Sequence, residues 1–204
     1  MRSTRWMVMA ALVGAPAAAV AQATGMPSFN APYRAFARHE FGAAVSFANF
    51  DAGTGLEGVY RFASGQFDVG LRGGVLLPDV GDTEALVGVE ARYRVITHSV
   101  DFPLDGAFIF GGGFNINGGT DVILPAGLSL GRRLDVENSN VSIIPYVQPT
   151  AVIINAETLG GRDTDLFFAL GLGADFRLSP RFDARVSLGL GDLEGISLAA
   201  VWIR

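Results

Sequence analysis

From Phe41 to the end of the chain, apolar and polar residues alternate with a period of two in one segment after another. Segment 66–75 is a clear example, because its odd-numbered residues are apolar apart from one glycine and its even-numbered residues are polar or glycine. The same alternation recurs at 87–94, 165–177 and 182–190. No segment shows a convincing 3.6-residue period. The pattern therefore predicts an all-β protein.

Turn-forming residues divide the alternating segments into about ten strands, and an eight-strand count is the alternative. The predicted strands are 41–49, 56–63, 66–77, 84–95, 104–114, 121–134, 141–154, 165–178, 181–190 and 195–203. The connections include Ser64-Gly65, Asn117-Gly118-Gly119 and Ser179-Pro180, which tolerate positive φ or fix a bend. Strands of about 9–11 residues are as long as a tilted strand needs to be to cross a bilayer.

Alternation alone fits either a soluble β-sandwich, whose apolar face is a core, or a membrane barrel, whose apolar face meets lipid. Glycine on the polar face favours the barrel, because a narrow lumen requires small inward residues and a solvated strand face does not. The glycines of that face are Gly42, Gly70, Gly88, Gly111, Gly113, Gly127, Gly171, Gly173 and Gly189.

Charges on the polar face pair when neighbouring strands are placed in register. A two-residue turn at Ser64-Gly65 places Arg61 opposite Asp68 and Glu57 opposite Arg72. A three-residue turn at 179–181 places Arg177 opposite Asp183 and Asp175 opposite Arg185. A register centred on Gly81 places Arg72 by Glu90 and Asp68 by Arg94. We therefore expect two rows, Glu57–Arg72–Glu90 and Arg61–Asp68–Arg94, inside the lumen, because buried charges must be paired. The full predicted lumen network is Glu57, Arg61, Asp68, Arg72, Glu90, Arg92, Arg94, Asp175, Arg177, Asp183 and Arg185.

Aromatic residues of the apolar face gather at one end of the predicted strands. They are Phe41, Tyr60, Phe62, Phe67, Tyr93, Phe176, Phe182 and Trp202. Such a belt is typical of the membrane–water interface of a barrel, whereas core aromatics of a sandwich would spread along the strands.

Composition narrows the class further. Of the 204 residues, 50% are hydrophobic and 17% are charged, which excludes a disordered chain. All 15 basic residues are arginine, and the net charge of -5 without basic clusters provides no nucleic-acid surface. The sequence has no cysteine, and we expect neither a disulfide framework nor a bound metal or cofactor.

The N-terminus has the three parts of a secretory signal peptide. Two arginines lie within Met1–Arg5, an apolar run extends from Trp6 to Val20, and Ala21-Gln22-Ala23 follows as a small-x-small cleavage site. We expect a signal peptide over 1–23, a tail or lead-in over 24–40 and the barrel over 41–204.

On these features, the segment from about residue 38 to residue 204 resembles small bacterial outer-membrane β-barrels, including the transmembrane domain of outer-membrane protein A and its opacity-protein relatives. The resemblance implies a Gram-negative outer membrane, with the short turns and both barrel termini in the periplasm. Its implied partners are outer-membrane lipid, the barrel-assembly machinery in transit and, as a further candidate, lipopolysaccharide.

Two features depart from that family. Its barrels usually end on an aromatic residue, whereas this chain ends Trp202-Ile203-Arg204. Pro125, Pro145 and Pro149 also fall inside predicted strands, where we expect bulges, because a closed barrel has no edge to host proline.

Candidate chemistry is sparse. His39 and His98 fall at the same end as the aromatic belt, and His98-Ser99 with Asp101 lies within one connection, which does not suit a catalytic relay. Asp163 and Asp165, near Asn155 and Glu157, are candidate ligands for a divalent cation on the longest loop of the opposite end.

The sequence thus predicts a closed antiparallel up-and-down barrel, structural or narrow-pored, with no catalytic residues and a largely filled lumen. One alternative is an outer-membrane enzyme, such as a lipid hydrolase, or a ligand-binding barrel that uses its extracellular loops. A weaker alternative is a soluble secreted β-sandwich.

Overall fold

The computed structural model of the chain describes residues 23–32, 39–48, 53–117, 119–158 and 161–204. The predicted signal peptide lies outside these residues apart from Ala23. Within them the chain forms one eleven-stranded sheet. Its strands are β1 (His39–Ala48), β2 (Gly53–Ser64), β3 (Phe67–Leu77), β4 (Glu84–Ile96), β5 (Asp105–Asn117), β6 (Gly119–Gly131), β7 (Leu134–Asp135), β8 (Ser142–Thr158), β9 (Gly161–Ser179), β10 (Phe182–Gly191) and β11 (Gly195–Ile203).

Ten of these strands close into a barrel. Each pairs antiparallel with its neighbour in the chain, β1 pairs with β11, and β6 pairs directly with β8. The two-residue β7 adds only a short extension beside β8. The predicted ten-stranded closed barrel is therefore confirmed, and the alternative of two packed sheets is wrong.

The barrel has a proximal end, which carries His39 and Ile203, and a distal end opposite. Two proximal connections, 65–66 and 180–181, are tight turns, whereas 97–104 and 132–141 are longer than the family resemblance implies. At the distal end β8 and β9 continue to Thr158 and Gly161, past the last β9–β10 pair at Ala169 and Gly191. The predicted long distal loop is thus a β-hairpin that projects from the barrel.

The two faces of the strands have opposite character. Outward residues are apolar and exposed, as at Leu71 (57%), Phe108 (52%) and Phe168 (60%). Inward residues include charged side chains that are almost fully buried, such as Arg61 (2%) and Glu90 (1%). Soluble folds bury large apolar side chains and expose charged ones. Here large apolar side chains are exposed, and the interior contains buried charges together with an apolar cluster around Phe29, Ile144 and Val152.

The observed register agrees with the predicted one between β9 and β10. Arg177 lies opposite Asp183 and Asp175 opposite Arg185, with an irregularity at Phe182. Between β2 and β3 the predicted register is wrong by two residues, because Arg61 lies opposite Gly70. The two-residue loop there is Gly65-Gln66, with Gly65 at φ 62°. The first central position of such a turn favours glycine, which moves the turn one residue along the chain.

The β3–β4 register is also two residues away from the prediction. Asp68 faces Arg92, not Arg94, and Arg72 faces Gly88, not Glu90. The connection of 78–83 is too long to dictate a register by itself. Since side chains alternate with a period of two, both two-residue shifts keep every predicted inward residue on the inward face.

The bulges expected at proline do not occur. Pro145 pairs with Ala174 and Pro149 with Leu170 in one unbroken β8–β9 register. Pro125 pairs with Val152, and the β5–β6 register is the same on either side of it, with pairs missing only near the proline. Proline removes one N–H donor, so the ladder loses a hydrogen bond locally without needing an extra residue.

Gly65 provides a test of the turn that sets the β2–β3 register. We expect Gly65→Ala to lower the free energy of unfolding by about 1–2 kcal/mol, because a Cβ is strained at positive φ. The matched control is Ser64→Ala, which we expect to stay within about 0.5 kcal/mol of wild type. Urea titration in detergent, followed by tryptophan fluorescence, measures both, and equal effects would contradict the turn assignment.

Candidate functional site in the barrel lumen

A continuous chain of six charged residues lies on the inner face of the adjacent strands β2, β3 and β4. Its order is Glu57, Arg72, Glu90, Arg61, Asp68 and Arg92. Arg72 donates to both Glu57 oxygens at 2.7 and 3.2 Å, and its other terminal nitrogen lies 4.0 Å from Glu90. Arg61 bridges Glu90 and Asp68, and Arg92 donates to Asp68 at 2.6 and 2.8 Å. We call these residues the lumen charge chain.

The lumen charge chain alternates in sign and contains three acids and three bases. Its side chains are at most 2% exposed. An isolated buried charge costs several kcal/mol in lost hydration, and only close opposite charges and further hydrogen bonds offset this. Since every central member contacts two opposite charges, removing any one of them leaves its neighbours poorly compensated.

The structure corrects the composition of the two predicted rows. The contacts Glu57–Arg72–Glu90 form, but they run diagonally between strands because of the register shifts. In the second row Arg92 takes the position predicted for Arg94. Arg94 lies nearer the proximal end and is half-buried. An arginine side chain is long enough to reach a residue two positions away from its direct cross-strand partner. Arg72 therefore still contacts Glu57 and Glu90 in the observed register.

A second charged group lies near the proximal end of β1, β9 and β10. Arg185 lies 2.9 Å from Glu40, 3.3 Å from Asp175 and 3.5 Å from Asp183, and Arg177 lies 2.9 Å from Asp183. Sequence reasoning missed Glu40, because strand one was predicted to begin at Phe41. Extending the alternation one residue back would have placed Glu40 on the inward face.

The N-terminal segment, residues 23–32, lies inside the barrel, which the prediction of a tail or lead-in over 24–40 did not anticipate. Thr24 is fully buried in the distal half, and its Oγ1 donates to Glu57 at 2.6 Å. The segment then runs toward the proximal end, where Pro32 lies beside Gly131. Asn30, which is 3% exposed, meets the lumen charge chain through Glu90 and Arg61.

Inward glycines make room for this segment. A Cβ at Gly55 would overlap the sulfur of Met26. A Cβ at Gly171 would lie 2.2 Å from the ring of Phe29. Glycine was predicted on this face because wall side chains crowd each other, and at these positions the crowding partner is the N-terminal segment.

One small cavity lies between the N-terminal segment and the wall. This cavity of about 20 Å³ lies beside Phe29 and Asn30, against β1 and β11, and its lining includes Arg72, Glu90 and Ser187. That volume holds about one water molecule.

The predicted aromatic belt lies on the outer face near the proximal end. Phe41, Tyr60, Phe62, Phe67, Tyr93 and Trp202 are 40–51% exposed, and Phe176 and Phe182 are half-buried. Phe41 stacks on Trp202 at 5.9 Å between ring centroids, and Phe182 meets the same indole at 5.3 Å. Trp202 lies on β11, and through these two contacts it packs against side chains of both neighbouring strands, β1 and β10.

Both histidines lie at the proximal end, and their rings hydrogen-bond to residues that are not part of the lumen charge chain. The His39 ring lies 2.6 Å from the Tyr60 hydroxyl, and the His98 ring lies 3.0 Å from Asp105. In the distal hairpin, Asn155 bonds to Thr164 and Arg162. Among the described residues, no three His, Asp or Glu side chains are grouped as metal ligands. The same residues include no helix long and apolar enough to cross a membrane.

No protein-family model matches the chain. A comparison with curated proteins also finds no match. Solved structures similar to it include a de novo designed transmembrane β-barrel, at 14% identity and a TM-score of 0.41, over 84% of this chain and 98% of that one. Another is Ail, the attachment invasion locus protein of Yersinia pestis.

The Ail structure in complex with the heparin analogue sucrose octasulfate is 17% identical, with a TM-score of 0.29 over 81% of this chain and 94% of that one. A second Ail structure gives 17% identity and a TM-score of 0.27 over 81% and 92%. Likenesses this distant carry no argument about function, and the barrel is established by the strand pairings of this chain.

Arg72 and Arg133 form a matched pair for testing the lumen charge chain. We expect Arg72→Ala to lower the free energy of unfolding by about 3–5 kcal/mol, because it leaves Glu57 and Glu90 buried with one arginine fewer. Arg133 pairs with Asp135 on the surface, where their side chains are 39% and 72% exposed, and we expect Arg133→Ala to cost about 1 kcal/mol or less. Denaturant titration in detergent micelles measures both, and similar small losses would refute the buried network.

Proposed function

We propose that this protein is an outer-membrane β-barrel with a structural role and a lumen closed to solutes. The observation that carries the proposal is the inverted distribution of polarity. Apolar side chains surround the outside of the barrel, and ion pairs, the N-terminal segment and an apolar cluster packed on Phe29 fill the inside. An apolar exterior continuous around a barrel suits lipid, since soluble monomers rarely expose large contiguous apolar patches.

The proximal aromatic belt supports the same location. Phe41, Tyr60 and Trp202 are large, outward and about half exposed, as expected for side chains at a membrane–water interface. We propose that the proximal end faces the periplasm and that the distal β8–β9 hairpin faces outward, which is the orientation implied by the likeness to outer-membrane protein A and opacity proteins.

Export follows from the predicted signal peptide, with cleavage after Ala23. The proposed partners are outer-membrane lipid, the barrel-assembly machinery and lipopolysaccharide. Trp202 of β11 is the aromatic residue that we propose the assembly machinery recognises. The proposal assigns no catalytic residue and no cofactor.

The proposed closure depends on how the lumen is filled. The lumen charge chain spans from β2 to β4, and the N-terminal segment runs along it from the distal half toward the proximal end. Interior side chains fill small barrels, whereas wider porins leave an aqueous channel. The tight fit around the segment favours a barrel without a permanent pore.

An outward leucine tests membrane residence. In the bilayer we expect Leu71→Arg, near the middle of β3, to cost about 2–4 kcal/mol of folding free energy. On a soluble surface the same exposed substitution would stay within about 0.5 kcal/mol. The control is Val80→Arg in the distal β3–β4 connection, where Val80 is 92% exposed and an arginine meets water in either case. Folding into lipid vesicles measures the difference, and wild-type recovery in the detergent-free soluble fraction of cells would overturn the proposal.

Conductance tests the closed lumen. We expect purified wild-type protein to give low or no conductance in planar lipid bilayers. A variant lacking residues 24–32 should conduct, because the part of the lumen that these residues occupy beside the inward glycines is then empty. Heat-modifiable mobility on unboiled gels establishes that the variant has folded. Large, stable channels from the wild type would refute the closed lumen.

A further inference from the structure

The barrel wall holds the N-terminal segment chiefly through its main chain. Five consecutive carbonyl oxygens, from Pro27 to Ala31, each accept a hydrogen bond from a different wall side chain. In order, the donors are Ser187 at 2.9 Å, Arg72 at 3.3 Å, Tyr146 at 2.9 Å, Ser129 at 2.6 Å and Arg92. They belong to β10, β3, β8, β6 and β4, so the contacts surround the segment.

Main-chain amides of the segment are also bound by the wall. The amide of Asn30 donates to the Gln148 side chain at 2.9 Å, and that of Phe29 donates to the Ser187 hydroxyl at 3.3 Å. Ser187 therefore binds both a carbonyl and an amide. Buried main-chain groups must be hydrogen-bonded. Here side chains of the wall provide the donors and acceptors that a neighbouring strand normally provides.

Two side chains of the segment add selectivity. The Asn30 amide nitrogen lies 3.2 Å from each Glu90 oxygen, and Arg61 lies 3.4 Å from its amide oxygen. The Phe29 ring lies against Gly171 and Gly189, with no space for a Cβ at Gly171. Ser28, by contrast, is held through its carbonyl.

We propose that the lumen is a binding site for a peptide segment, and that residues 24–32 of this chain are its resident ligand. The wall donates hydrogen bonds to five successive main-chain carbonyls, hydrogen-bonds to the Asn30 side chain and packs its glycines against the Phe29 ring. Binding requires no covalent link between segment and barrel, so the segment stays in place after the chain is cut between Pro32 and His39. This goes beyond a closed barrel, because it assigns the lumen a recognition activity.

The experiment uses the full mature chain with a protease-recognition sequence inserted between Pro32 and His39. The protein is folded in detergent, cut, and passed through a size-exclusion column, and mass spectrometry of denatured fractions quantifies the cut peptide. We expect one wild-type peptide per barrel to co-elute. With Asn30→Ala, dissociation should be at least about tenfold faster, because hydrogen bonds to charged groups are lost. Ser28→Ala is the matched control and should be retained like the wild type.

A wall variant tests the same contact from the other side. Gly171→Ala places a methyl group against the Phe29 ring and should release the cut peptide, and Phe29→Ala in the peptide should restore retention. Heat-modifiable mobility shows that each barrel is folded. The proposal would be overturned if the wild-type peptide dissociated from the barrel as fast as the Asn30→Ala peptide, or if both peptides were retained equally. Because the assay is done in detergent, its failure would leave membrane residence, tested with Leu71→Arg, unaffected.

Discussion

The ion pairs of Arg61 with Asp68 and Glu90 are the contacts on which the rest of the lumen depends. All three side chains are buried, and their charges are tolerable only while they remain together. They draw β2, β3 and β4 into one register and give Asn30 of the N-terminal segment a polar surface to bind. A one-residue slip of any of these strands would turn its charges outward among apolar side chains.

The N-terminal segment and the wall complete each other. Glycines such as Gly55 and Gly171 leave the wall without side chains where the segment passes, and the wall polar groups Tyr146, Ser187 and Gln148 hydrogen-bond to the segment. A barrel of this size is usually filled by its own inward side chains. Here part of that filling comes from a stretch of chain outside the strands.

Sequence reasoning succeeded where the physical rule is local. Alternation with a period of two placed Asp68, Arg72, Glu90 and Arg185 on the inward face, and the Ser179-Pro180 connection led to the observed β9–β10 register. It failed on strand register, because two registers that differ by two residues place the same side chains on the inward face. The registers derived from the Ser64-Gly65 turn and from a centre at Gly81 were each wrong by two residues, and shifts of two preserve the alternation of faces.

The sequence by itself determined the strand class, the inward and outward faces and the inward glycines, because each follows from residues adjacent in the chain. Only the tertiary structure decided that Arg92 rather than Arg94 meets Asp68, that Glu40 joins Arg185, and that residues 23–32 enter the lumen. The segment shows no period, since its polar groups bond to six different strands rather than to one neighbour. Its partners are about 30 to 160 residues away in the chain, and only closure of the barrel brings them together.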